Sequence, residues 1–369
     1  MQWSERPVIM LGNGARGADI ARVCGLGVPI LTSWNAKDLI DNDHALYFGS
    51  PGQYGQRVAN KVFYEADMIL SIGNRMAIWN VGYEGPRPEQ RLVMVDVDAY
   101  EVAKFPHADW IKQDAGDFIS EVDPAPIVTS YMAGKGTWVT TCQAWRDKFP
   151  LVESPAHDDA GGYINSYRFM QRLQGHLRHD EVIVTDMGTA HICAHQVLRL
   201  KPPQRIISSG GLGEMGCGIP MAVGASFARN KGEVLCLVGD GGAMMNLQEL
   251  QTIAHHELPI KIIVFANDGY LMLKHTQKMA GNPLSGVDRA TGVSCPDFVK
   301  VARSFDIGAC DVRTWIEFER EIDWFLTSPG PMLMQYHMHP QQPLVPKLNP
   351  IFVDGKPTSP RFCDMSPLL

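Results

Sequence analysis

At 369 residues, 45% of them hydrophobic and 20% charged, the chain has the composition of an ordinary folded protein of about two domains. Its formal net charge of −7 supplies no basic patch for nucleic acid or an anionic membrane surface, so both partners are set aside. No apolar run approaches the roughly 18 residues of a membrane span, the opening Met1-Gln2-Trp3-Ser4-Glu5-Arg6 is no signal peptide, and eight cysteines without a Cys-x-x-Cys pair read as reduced thiols of a cytoplasmic protein.

From the N-terminus, Pro7 to Leu11 reads as a short buried strand, followed by Gly12-Asn13-Gly14-Ala15-Arg16-Gly17 and a helix to about Cys24. This is formally the Gly-x-Gly-x-x-Gly dinucleotide fingerprint. Such a site also wants an acid ending the second strand, about 20 residues on. Here Val28 to Thr32 runs into Ser33-Trp34-Asn35. A nucleotide-sized hollow above the sheet stays open as a reading; the alternatives it supports are a non-catalytic nucleotide-binding protein and an NAD-dependent oxidoreductase. Strands over Met68 to Ile72 and Arg91 to Val95 follow, so residues 1–121 predict a parallel, doubly wound α/β domain. Gly49, Gly52 and Gly55 either admit a ligand closely or shape their own loops. Pro124 and Pro126 mark a linker over 122–137. A second α/β domain is predicted over 138–339, opening with helices around Trp145 and from Arg168 to Leu177, and a tail over 340–369 closes the chain.

In the second domain, Glu181 to Thr185 reads as a strand entering Asp186-Met187-Gly188-Thr189-Ala190-His191. His191 and His195 would share a helix face, which invites a zinc reading, but no Glu stands between them as in His-Glu-x-x-His. A solvated or phosphate-facing His191 is the preferred expectation. Between Gly210 and Gly218, five glycines in nine residues leave backbone exposed. The most informative stretch is Glu233 to Tyr270, which predicts strand, glycine turn, helix and strand, with Asp240 ending the first strand and Asn267 the second, 27 positions later. Hard oxygens on adjacent strand ends suit Mg²⁺ holding a diphosphate. The N–H groups of Gly241, Gly242 and Ala243 would then face phosphate oxygens.

Leu235 to Tyr270 resembles the diphosphate-and-magnesium motif of thiamine diphosphate enzymes, Gly-Asp-Gly followed by an Asn-Asn pair, with Ala266 where the first Asn is usual. Within that superfamily the chain is similar to acetohydroxyacid (acetolactate) synthases. RPVIMLGNGARG, EADMILSIGNRM and VMVDVD extend the likeness through the first half, in matching order. The resemblance implies that the side chains of Asp240 and Asn267 and the backbone oxygen of Gly269 ligate Mg²⁺, while Gly188, Thr189 and His191 lie beside the terminal phosphates. It implies that Gly213 accepts the exocyclic amine of thiamine diphosphate through its carbonyl, that Met215 wedges between the two rings, and that Tyr270, Leu271 and Met272 line the coenzyme. Leu273 would face the substrate, where some decarboxylases carry a proton-donating acid; a leucine there favours carboligation over simple decarboxylation. Lys274 and His275 would touch an acidic substrate or else lie on the helix surface.

The implied activity is that of a lyase or transferase, moving an acyl unit from a 2-oxo acid, pyruvate, to a carbonyl acceptor. The middle domain of acetohydroxyacid synthases holds FAD, and elsewhere in the superfamily ADP or nothing. Relatives carry the activating glutamate on a first, pyrimidine-binding domain. Either this sequence is a fragment of a longer chain that bears that domain, or, as the preferred expectation, a separate chain of about 150 to 200 residues supplies it, in a hetero-oligomer with a dimeric or tetrameric core. The tail 340–369 resembles a segment that closes over the active site of relatives.

Overall fold

In the computed structural model, which describes residues 4–82, 85–123, 136–353, 356–358 and 360–368, the apolar runs become strands covered on both faces. Contacts divide the chain into two units. The first comprises Met1–Leu151, Arg199–Pro202 and Val345–Leu369, and the second Val152–Leu198 and Pro203–Leu344. Most of the predicted linker, residues 124–135, lies outside the described residues. Among the described residues no helix is long and apolar enough to cross a membrane.

The first unit is a parallel sheet of β1 (Pro7–Leu11), β2 (Ile30–Thr32), β3 (Met68–Ile72), β4 (Arg91–Val95) and β5 (Asp109–Ile111), in the order β2-β1-β3-β4-β5. Val8, Met10, Ile69 and Met94 pack on one face, and Ile9, Leu11, Leu70 and Val95 on the other. Burial on both faces is why these strands read as unbroken apolar runs. The strand order reverses between β1 and β3, where ligands of such sheets bind. The glycine loop at that point is occupied by backbone. Gly12 N–H donates to Ile72 O and Gly14 N–H to Gly73 O, each at 2.9 Å, and a Cβ on Gly12 would collide with Gly73 O. Arg16 of the same loop pairs with Asp38 at 2.6 Å. Gly49, Gly52 and Gly55 are likewise packed closely, against Gln56, Trp79 O and Asn60 Oδ1 respectively, as the loop-shaping reading expects.

Two boundaries differ from expectation. The helix Gly136–Lys148, assigned from sequence to the second domain, packs on the first sheet. Trp138 and Cys142 are buried in its core, and Trp138 Nε1 donates to Pro7 O at 3.1 Å. Apolar burial on that face outweighs the proximity in sequence to the next domain. Residues 345–369 of the predicted tail are likewise fastened to the first unit. Leu348 N–H donates to Gln53 O at 2.8 Å, Arg57 Nη1 to Met365 O at 2.9 Å and Asn60 Nδ2 to Phe362 O at 3.0 Å, while the Phe362 ring lies 5.2 Å from that of Phe63.

The second unit is a parallel sheet of β6 (Val182–Thr185), β7 (Arg205–Ser208), β8 (Val234–Gly239), β9 (Ile260–Ala266), β10 (Gly308–Val312) and β11 (Met332–His337), in the order β10-β11-β9-β8-β6-β7. One face carries Val184, Cys236, Val238, Ile262 and Leu333, covered by Ile219, Ala222, Leu250 and Ile253 from the helices. The chain steps from β6 to β7 on one side and then to β8 on the other. The switch point therefore lies between β6 and β8, and their carboxyl ends flank the crevice.

A buried cation in the first unit gives a test of this packing. Lys37 is 1% exposed, and burial, followed by the charge of Arg199, pushes its ammonium down to about 7. Above that pH the folded chain has released a proton that the unfolded chain retains until about 10.4. Stability should therefore rise with pH across this window. Thermal unfolding followed from pH 7 to 10 should show the midpoint climbing, and Lys37→Met should flatten the climb.

Candidate functional site

Three strands of the second sheet run into a polar residue at the same edge: β6 into Asp186, β8 into Asp240 and β9 into Asn267. Apolar strand bodies drive these side chains to the carboxyl ends, where the backbone leaves the sheet and its N–H groups turn inward. Asp240 is 1% exposed. Its Oδ2 accepts the N–H of Asn267 at 2.8 Å and that of Gly269 at 3.2 Å, and its Oδ1 accepts the N–H of Gly241 at 2.8 Å. The turn it grips needs left-handed backbone at Asp268 (φ 62°) and Gly269 (φ 132°), and a Cβ on Gly269 would strike Val287 O.

Burial pushes the Asp240 carboxyl up to about 6, against the opposing pull of these N–H groups. The Asp268 N–H and the Cys295 thiol also lie against this carboxylate, so a cation here would share its lone pairs with these donors. The side chain of Asn267 is buried, its Nδ2 lies 3.9 Å from Met338 Sδ, and its Oδ1 has no hydrogen-bond partner. Leaving such an acceptor unmet costs about 1–3 kcal/mol. A hard divalent cation is the partner that an amide oxygen beside a carboxylate suits. With the backbone oxygen of Gly269, the donor set is all oxygen and fits Mg²⁺. Among the described residues no group of three or more His, Cys, Asp or Glu is placed to hold a metal, so a cation here would rest on a mixed set completed by ligand oxygens.

Gly241, Gly242 and Ala243 are buried in the short helix Asp240–Ala243. The Gly241 N–H is committed to Asp240, which reduces the expected trio of phosphate-facing amides to Gly242 and Ala243. Gly188 (φ 112°) caps the helix Thr189–Val197, with no atom near the place of its missing Cβ. Thr189 is buried. His191 differs from the solvated ring expected. It is fully buried, its Nδ1 lies 3.0 Å from Thr185 Oγ1, and burial pushes its imidazole down to about 3. The helix that carries it is buried on every side, which leaves the ring no route to solvent.

On the glycine loop, Gly213 has φ 74° and is half-buried, and Met215 is 37% exposed. The Tyr270 ring lies against Gly241, where a Cβ would strike it. Leu271 is buried, Met272 half-buried, and Leu273 42% exposed. The two residues beyond each have a partner within the protein. Lys274 is buried and paired with Asp288 at 3.3 Å, and His275 Nε2 lies 2.9 Å from Gln342 O.

Sequence reasoning passed over Asp186. It is fully buried, with Oδ2 accepting the Gly216 N–H at 3.1 Å and Oδ1 the Gly218 N–H at 3.0 Å. Burial raises its carboxyl and the two amides oppose the rise. The available signal was the one used for Asp240, an acid ending an apolar strand.

If the Asn267 acceptor is held unmet for a ligand, removing it should relieve the protein. Asn267→Leu, of similar volume, is expected to raise stability to urea by about 1 kcal/mol in ligand-free protein. An equal loss would show that the amide is structural.

Comparison with known proteins fits this geometry. Residues 186–336 match the C-terminal TPP binding domain of thiamine pyrophosphate enzymes, and residues 1–122 match their central domain. The acetolactate synthase large subunit of Parasynechococcus marenigrum is 28% identical over 358 residues, covering 95% of this chain and 57% of that protein. The isozyme 1 large subunit of Escherichia coli is 28% identical over 354 residues (94% and 61%), and the probable large subunit of Methanocaldococcus jannaschii 29% over 384 residues (97% and 63%). The chain thus spans about three fifths of the length of these relatives. It belongs to the thiamine pyrophosphate enzymes, carrying their central and C-terminal TPP-binding domains in an acetolactate synthase-like sequence.

Proposed function

We propose that the chain holds thiamine diphosphate and Mg²⁺ at the carboxyl edge of the second sheet and serves as part of an acetolactate synthase-like carboligase. The observation that carries this reading is the pairing of a buried carboxylate, Asp240, with a buried and unmet amide oxygen, Asn267, beside the Gly241–Gly242 turn. Asp240, Asn267 and the Gly269 carbonyl would hold the cation, and Gly242, Ala243, Gly188 and Thr189 the diphosphate. Gly213 and Met215 would meet the rings. When bound, thiamine diphosphate supplies the nucleophilic carbon and the electron sink for decarboxylating a 2-oxo acid. This chain's residues orient the coenzyme and exclude water from it.

Pyruvate is the proposed donor, and the acceptor is a second carbonyl compound. Leu273, exposed at the start of the helix Leu271–Met279, offers no proton, which favours transfer of the acyl unit over its release as an aldehyde. The activating carboxylate is proposed to come from a pyrimidine-binding domain on a separate chain, within a hetero-oligomer. In the first unit the glycine loop is filled by its own backbone, so FAD, ADP and NAD serve as competing ligands in the test rather than as assigned cofactors.

Titration calorimetry with thiamine diphosphate, FAD, ADP and NAD, each with and without Mg²⁺, should give Mg²⁺-dependent binding of thiamine diphosphate alone at this site. Asp240→Ala should weaken it by about 100-fold, in line with about 3 kcal/mol for a lost charged ligand. Binding of NAD with no response to thiamine diphosphate would replace this reading with the oxidoreductase. Rapid CO₂ release from pyruvate by the chain alone would remove the need for a partner.

A further inference from the structure

The carboxylate that sequence reasoning missed lies at the switch point itself, between the two strands whose ends flank the crevice. Asp186 touches three things at once. It accepts the N–H groups of Gly216 and Gly218, three and five residues beyond Gly213. The thiol of Cys217, between them, donates to its Oδ1 at 3.4 Å. Its Oδ2 also fills the space a Cβ on Gly242 would need, so the glycine at that place in the Asp240 turn is required by the Asp186 side chain. The loop has a second anchor on the same side, since Asn246 Nδ2, just beyond that turn, donates to Gly216 O at 2.7 Å. Gly216 has φ 87°, a conformation that needs fixing from outside because its own backbone does not prefer it over others.

We infer that Asp186 is a positioning residue. It presets the Gly213–Gly218 loop against the Asp240–Gly242 turn, so that the ring end of the coenzyme meets a formed surface while its diphosphate meets the cation. The inference rests on the thiamine diphosphate reading above and adds a division of labour to it. Asp240 and Asn267 act on the diphosphate, and Asp186 acts on the rings through the loop. Asn at position 186 keeps the volume but turns one acceptor into a donor facing a backbone N–H, which releases one side of the loop. It also removes a buried negative charge near the diphosphate, so the effect on a bare diphosphate has the opposite sign.

Calorimetry in Mg²⁺ with two probes, thiamine diphosphate and inorganic pyrophosphate, separates these effects. Asp186→Asn should weaken thiamine diphosphate by about tenfold or more, equivalent to about 1.4 kcal/mol, and leave pyrophosphate unchanged or tighter. Asn246→Ala, a milder change at a half-buried site, should shift the same ratio in the same direction and serves where Asp186→Asn does not fold. Equal weakening of both probes, or no change in either, overturns the positioning role. A wild-type chain that binds neither probe overturns the coenzyme reading, and this inference with it.

Discussion

The Asp240 carboxylate is the constraint on which the site depends. It is buried, and it holds the end of β8 to the turn after β9 by taking the N–H groups of Asn267 and Gly269. An ion in such a place is tolerated only when its lone pairs are met. Backbone amides meet most of them, which limits how far burial can raise the carboxyl. Because both strand ends are fixed by one side chain, the Asn267 amide is delivered to the same edge with its oxygen unmet. The unmet acceptor is a cost to the fold alone and a benefit only to a fold that carries a ligand.

Around that clamp the glycines mark contacts that a side chain would break. Gly242 yields to Asp186, Gly241 to the Tyr270 ring and Gly269 to Val287 O. Each absence of a Cβ lets one element of the edge rest on another. A carboxylate at the end of β6, a turn at the end of β8 and a loop after β7 become one packed surface as a result. Turn glycines are often read as flexible. Here they are where the edge is most tightly fixed, whereas half-buried Gly188 has open space at the place of its missing Cβ.

Much of this was legible in the chain. Met68–Ile72 and Arg91–Val95 are legible with the bounds they adopt, because central parallel strands are covered on both faces and mostly apolar. The strands left unread, β5, β7 and β10, all lie at sheet edges. An edge strand packs on one side only and carries polar residues such as Asp109, Arg205 and Asp311, so its signal fades into that of a loop. The helix Gly136–Lys148 was assigned to the wrong unit for a related reason. Sequence shows that a helix has an apolar side but not which sheet will cover it. The spacing of Asp240 and Asn267 was readable because strand and turn place both. The burial of His191 and the engagement of Lys274 and His275 were not: the first depends on how the fold covers its helix, and the others on partners beyond their own helix, Asp288 and Gln342.

The two sheets apply one topological rule to opposite ends. Both are parallel, both reverse strand order once, and both carry glycines at the reversal. In the first, Gly12 and Gly14 press on Gly73, the Arg16 guanidinium is neutralised by Asp38, and the buried polar atom beside them left without a partner, Asn74 Nδ2, is a donor and not a cation-seeking oxygen. In the second, the crevice ends in a buried carboxylate gripped by backbone N–H groups and an amide oxygen with no donor. The same glycine pattern thus has two physical meanings. Where backbone fills the space left by the missing Cβ atoms, the glycines report packing. Where a hard oxygen remains unmet beside it, they leave room for a ligand, and among the described residues Asn267 Oδ1 gives the second crevice that condition.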